Sequence, residues 1–161
     1  MSKMQDPPLQ VLNQQYTHLE QNTTKRPQGR PTGPSEGSYQ FRWGGYNYLF
    51  FSSGGCCNKP SHLAPPGEEY TIMVCRAAST TGPFVDQIGR SCLHQNGGII
   101  IFESHDDVFA PGGQGVMFDP VVGSAVVYYH YIKPSIGYDY DRFQLGWNKL
   151  NFSTGWPVVV P

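Results

Sequence analysis

The chain has 161 residues, the size of one ordinary domain. Charged residues make up only 14% and aromatics 14%, while Gly contributes 19 residues and Pro 14, which argues against a helix bundle, a coiled coil or a chain disordered throughout. The net charge of −1 lacks the basic excess of a nucleic-acid binder, and no apolar run approaches the ~18 residues of a membrane-spanning helix.

The first residues, Met1-Ser2-Lys3-Met4-Gln5-Asp6, carry no apolar signal-peptide core. Residues 20–38 are rich in Gly, Pro, Thr and Ser and read as an irregular lead-in. Lys25, Arg26 and Arg30 lie in it and read as a solvated loop, not a phosphate-binding patch. From Tyr39 onward the pattern is β. Tyr39–Arg42 and Tyr46–Ser52 flank a Gly-Gly turn and predict a hairpin. Tyr70–Arg76 and Gly98–Ser104 predict two more strands. Gly115–Asp119 and Ala125–Ile132 predict a second hairpin, followed by strands at Leu145–Phe152 and Pro157–Val160. No segment reads as a helix of four turns.

The units repeat. Gly45-Tyr46-Asn47-Tyr48-Leu49-Phe50-Phe51 is echoed about 75 residues later by Ser124-Ala125-Val126-Val127-Tyr128-Tyr129-His130. Ser79–Val85 is echoed by Ser153–Val158. A hairpin-led unit of that size resembles a propeller blade. Two such units do not close a ring, which points to part of something longer; a compact β-sandwich is the competing architecture. The expected division is a lead-in over 1–38, one blade over 39–110 and another over 111–161.

Four cysteines, Cys56, Cys57, Cys75 and Cys92, permit two disulfides in three connectivities. The vicinal pair is a poor zinc half-site, because structural zinc wants a spacer between its ligands. Sequons at Asn22 and Asn151 also suit a secreted protein. A secreted-type sequence without a signal again points to the C-terminal part of a longer chain.

Glu36, in Pro34-Ser35-Glu36-Gly37-Ser38-Tyr39, sits at a strand mouth beside small residues. With Tyr39 and Trp43 as neighbours its carboxyl would be desolvated, which suits a general acid; a solvated loop residue is the bland reading. Alternation puts Tyr128 and His130 on one strand face and Tyr129 and Tyr131 on the other. His130 is then either a core histidine or a polar group aimed into a channel. Pro111-Gly112-Gly113-Gln114-Gly115 reads as a loop where backbone can approach a ligand, but no helix follows to bind phosphate. Asp106-Asp107 and Asp139-Tyr140-Asp141 read as turn residues.

Taken together, Glu36-Gly37-Ser38-Tyr39, Tyr46–Cys57, Ile72–Arg76, Thr81–Asp86, Pro111–Val116, Tyr128–Tyr131 and Gly155–Val159 resemble glycoside hydrolase family 43, and within it the fungal endo-1,5-α-L-arabinanases. The resemblance runs from about Tyr16 to Pro161. It implies a five-bladed β-propeller, of which this chain supplies about two C-terminal blades, and an inverting mechanism with three carboxyl groups. Glu36 corresponds to the general acid. The Asp general base and the Asp that tunes the acid correspond to positions upstream of this chain. Gln114, His130 and Cys56 fall where the family lines its substrate cleft. Several members carry a His directly after the Pro-Gly of the late loop, close to a bound metal. Here that residue is Gly113, so no cofactor is expected and the family's calcium is not carried over. The implied substrate is arabinan, including the side chains of pectin, and the implied location is extracellular. The isolated chain is expected to be almost inactive. The alternative is a non-catalytic carbohydrate-binding module, with Trp43, Tyr129 and Trp147 stacking on sugars. An incomplete product without independent function is the third reading.

Overall fold

The computed structural model describes residues 35–56, 60–95 and 97–160. The lead-in before Ser35, with Asn22, Lys25, Arg26 and Arg30, lies outside the described residues, as does Cys57. Eight strands follow in chain order: β1 (Ser35–Trp43), β2 (Tyr46–Ser53), β3 (Thr71–Ala77), β4 (Ile99–Phe102), β5 (Phe109–Asp119), β6 (Ser124–Ile132), β7 (Gln144–Asn151) and β8 (Val158–Val160). They form two four-stranded antiparallel meanders, β1-β2-β3-β4 and β5-β6-β7-β8. The helical pieces among the described residues are single 3-10 turns at Pro60–His62 and Tyr140–Arg142.

The hairpin turns follow from local chemistry. Gly44 (φ 56°) and Gly45 (φ 86°) take the two positive-φ positions that join strands of natural twist. In the second hairpin, the Asp119 carboxylate accepts from the amides of Val121 and Val122 and tightens the turn.

The main core lies between the sheets. Tyr48, Phe50, Ile72 and Val74 of the first sheet meet Val116, Val127, Tyr129 and Leu150 of the second. The other face of β2 and β3 is also buried: Leu49, Phe51, Met73 and Cys75 pack under Phe84 and Cys92 of the segment after β3. That explains the unbroken apolar run in β2, since alternation is expected only where one face meets water. A disulfide joins Cys75 to Cys92. Arg76 staples the sheets, its guanidinium lying 4.1 Å from the Tyr46 ring centre and 4.5 Å from that of Trp156. It also donates to the Gly155 carbonyl at 2.6 Å, which accepts from the Tyr48 hydroxyl as well.

Two expectations are corrected. Ser35–Ser38 belong to β1 and not to an irregular lead-in; Ser35 and Glu36 pair with Ser53 and Ser52, and a bulge before Tyr39 absorbs Gly37 and Ser38. Pro111–Gly115 are strand and not loop. They run through β5 against β6, with register shifts on either side of Gly112. The glycines that read as loop are there so that neighbouring rings can lie on the backbone, as described below.

Candidate active site

Glu36 pairs across the ladder with Ser52, and its side chain is exposed. The hydroxyl of Tyr70 donates a hydrogen bond to its Oε2. Tyr70 immediately precedes β3 and is buried. Burial, reinforced by the Glu36 carboxylate, pushes its phenol well above the ordinary tyrosine range, so it stays a donor. The aromatic groups expected beside Glu36 are placed elsewhere. Tyr39 is exposed, and Trp43 stacks on Phe118 and Phe152 at 6.0 and 5.6 Å. Nothing local marks Tyr70 as the partner, because it lies 34 residues from Glu36 and only β2 pairing brings them together.

Gln114 is buried beside Glu36 and Gly37. Its Nε2 donates to the Gly37 carbonyl at 2.6 Å, and its Oε1 accepts from Ser52 Oγ at 2.8 Å. Ser52 Oγ in turn accepts from the Gly113 amide at 2.8 Å. The carbonyl and one amide hydrogen of Gln114 are therefore spent within the chain, clamping β5 onto β1 and β2 beside Glu36. A side chain at Gly112 would place its Cβ 2.3 Å from the Tyr70 ring. At Gly113 it would lie 2.5 Å from His130 Nδ1. What approaches the glycine backbone is thus the protein's own rings.

His130 sits over Gly113, with its Nε2 3.9 Å from Cys56 Sγ. Cys56 is disulfide-bonded. The imidazole stacks on Phe143 at 5.5 Å and lies 6.3 Å from Tyr70. Burial lowers its pKa below the ordinary histidine value and favours the neutral ring. The fold thus gathers Glu36, Tyr70, His130 and Cys56 at one end of the two sheets, with Gln114 as a clamp beneath.

Other sequence candidates lie apart from this cluster. Asp107 accepts from the Ser135 amide and hydroxyl, and Asp139 pairs with Arg142 at 3.7 Å. Tyr129 is core, not a sugar platform: it is buried and its hydroxyl donates to Asn148 at 2.6 Å. Trp43 is held in its stack, while Trp147 is 57% exposed. Among the described residues no group of three His, Cys, Asp or Glu could hold a metal ion, and the His130 ring lies against Gly113, the position after Pro111-Gly112.

The model of the family "Glycosyl hydrolases family 43" matches residues 1–157. The chain belongs to glycosyl hydrolases family 43. It is 53% identical over 128 residues to arabinan endo-1,5-alpha-L-arabinosidase A of Aspergillus aculeatus, covering 80% of this chain and 39% of that protein. Against the protein of the same name from Aspergillus niger the identity is 51%, with the same coverage. The Cellvibrio cellulosa alpha-L-arabinanase complexed with arabinohexaose superposes with a TM-score of 0.66 at 27% identity, over 78% of this chain and 36% of that one. This family 43 chain therefore spans about two fifths of the length of these relatives. Its two sheets are blades of the propeller fold that those structures share.

Proposed function

We propose that this chain is the acid-bearing C-terminal part of an inverting, secreted arabinan endo-1,5-α-L-arabinosidase, with the sheets β1-β2-β3-β4 and β5-β6-β7-β8 as its two blades. The observation that carries this reading is the Glu36 carboxyl, exposed on β1 and held by the Tyr70 phenol, in a chain about half identical to arabinan endo-1,5-alpha-L-arabinosidases. A donor on Oε2 leaves Oε1 as the oxygen that carries the proton. In this mechanism that proton goes to the glycosidic oxygen as the C–O bond breaks. A base on the other face of the sugar, roughly 6.5–9.5 Å away, activates the attacking water. Neutral His130, Cys56 and the remaining amide hydrogen of Gln114 would line the floor against which the sugar lies. The base belongs to the part of the relatives' length that this chain does not span. General acid or base catalysis contributes about 10²–10⁴-fold per group, so the acid alone leaves little turnover.

Binding and hydrolysis of linear 1,5-α-arabinan by purified 1–161 test this, with Glu36→Ala alongside. The expected result is retardation in an arabinan-containing gel without release of reducing ends from either protein. Release by 1–161 that vanishes in the variant would refute the acid-only assignment. Absence of retardation would refute arabinan as the ligand.

A further inference from the structure

The Asn151-Phe152-Ser153 sequon stands where β7 ends and the chain turns towards β8. Asn151 and Ser153 are exposed. Phe152 between them is half-buried and packs on Trp43 at 5.6 Å and Phe41 at 6.2 Å, which anchors the turn. The Gly155 amide donates to the Phe152 carbonyl at 2.8 Å, and the Ser153 amide donates to Asn151 Oδ1 at 2.8 Å. The second of these bonds is an Asx turn. It holds the Asn151 carboxamide by its oxygen and leaves Nδ2 to solvent, where no described residue accepts from it. Asn47 and Asn148 differ, since their Nδ2 groups donate to the Ala78 and Val160 carbonyls. The Ser153 hydroxyl likewise makes no hydrogen bond to a described residue.

From this geometry we infer that Asn151 is an N-glycosylation site, carrying an N-acetylglucosamine-led oligosaccharide on Nδ2. A sequon needs an amide nitrogen that can take the sugar, a hydroxyl two residues on for the transferase to read, and a surface position where the finished glycan displaces no packing. Asn151 and Ser153 supply all three. The donor is an oligosaccharide joined through its reducing carbon to a lipid diphosphate. The bond from that carbon to the diphosphate oxygen breaks, and the diphosphate leaves with the electron pair. The carbon–Nδ2 bond forms as Nδ2 gives up one of its two protons to a base of the transferase. The site is remote from the acid. Leu145 pairs with His130 at the Glu36 end of the sheets, and the strand from Leu145 to Asn151 runs about 20 Å away from it. The glycan therefore stands clear of a sugar chain bound at Glu36. The inference rests on the secreted reading above, because the transferase and its lipid-linked donor meet only chains that enter the export route.

The test is peptide mapping by mass spectrometry after digestion with an N-glycan-releasing amidase, which converts a glycosylated Asn to Asp. It is run on 1–161 exported from yeast behind a cleavable leader, as the unaltered chain, Ser153→Ala and Ser153→Thr. It is also run on the protein isolated from the culture fluid and from the cells of the organism that makes it. The expected result is Asp at position 151 in the exported chain and in the culture-fluid protein, loss of that conversion in Ser153→Ala, and its retention in Ser153→Thr. Ser153→Ala keeps the Asx turn, because the Ser153 amide and not its hydroxyl makes the bond, so the loss reads recognition and not misfolding. An exported chain or culture-fluid protein with unmodified Asn151, or conversion that persists in Ser153→Ala, overturns the site and leaves the secreted reading standing. Protein found only inside the cells and unmodified overturns the secreted reading together with the site.

Discussion

Gly112 shows how one residue without a side chain positions another that has one. Its missing Cβ is the space into which the Tyr70 ring leans, and Tyr70 holds Glu36. Gly112→Ala should therefore cost about 1–3 kcal/mol of stability, the range for overpacking a filled site. Denaturant unfolding measures the loss, and the Tyr70 ring signals should move with it. At His130 the sign of the pH dependence follows from burial, since its neighbours Phe143, Tyr70, Gly113 and disulfide-bonded Cys56 bring no carboxylate to stabilise the imidazolium. Its folded pKa is lower than the value of about 6.5 in the unfolded chain. Above that value the neutral ring carries no penalty. As pH falls below it, the unfolded chain takes up a proton that the folded chain resists, and stability drops until the folded pKa is passed. His130→Gln should flatten the fall in Tm as pH drops below about 6.5. An equal fall in both proteins would show that His130 carries no such linkage.

Among the elements, β2 and β3 are the ones buried on both faces, and the second of those faces depends on a segment without regular structure. Residues after β3 bring Phe84 and Cys92 across Leu49, Phe51 and Met73, and the Cys75–Cys92 bond closes a separation of 17 residues. Replacing both cysteines by alanine should lower unfolding stability by about 3 kcal/mol, the loop-closure effect for a ring of that size. An unchanged denaturation midpoint would show that packing alone holds the segment. The apolar run of β2 and the Gly-Gly turn were legible in the sequence, because run length and turn chemistry are local. The strand character of Pro111–Gly115 was not. Glycines at a bulge and glycines in a loop look alike until the rings of Tyr70 and His130 are seen lying on them.

At the scale of the whole molecule, the second sheet turns one face to its partner and leaves the other largely uncovered. Leu145 and Trp147 of β7, Tyr128 of β6, Met117 of β5 and Val158 of β8 share that outer face, with Leu145 78% exposed. Monomeric proteins rarely expose so contiguous an apolar surface. The chain also spans only 39% of the length of its Aspergillus aculeatus relative. In isolation 1–161 should therefore self-associate through this face, with a sedimentation coefficient that rises with concentration. Trp147→Lys should reduce the association. A coefficient independent of concentration would show that the face stays bare.

By itself the sequence determined the all-β class, the two hairpin-led units and the family. Each of these depends on local turn chemistry, apolar run length or a contiguous motif. Only the tertiary structure decided what surrounds Glu36. The Tyr70 donor, the Gln114 clamp and the His130 ring on Gly113 come from strands far apart in the chain. Aromatic residues near Glu36 in sequence, Tyr39 and Trp43, were directed to solvent and to the Phe118–Phe152 stack instead. The physical reason is that strand pairing and sheet packing, not sequence neighbourhood, set which side chains share a volume, and a bulge in β1 or β5 redirects side chains in a way no periodicity records.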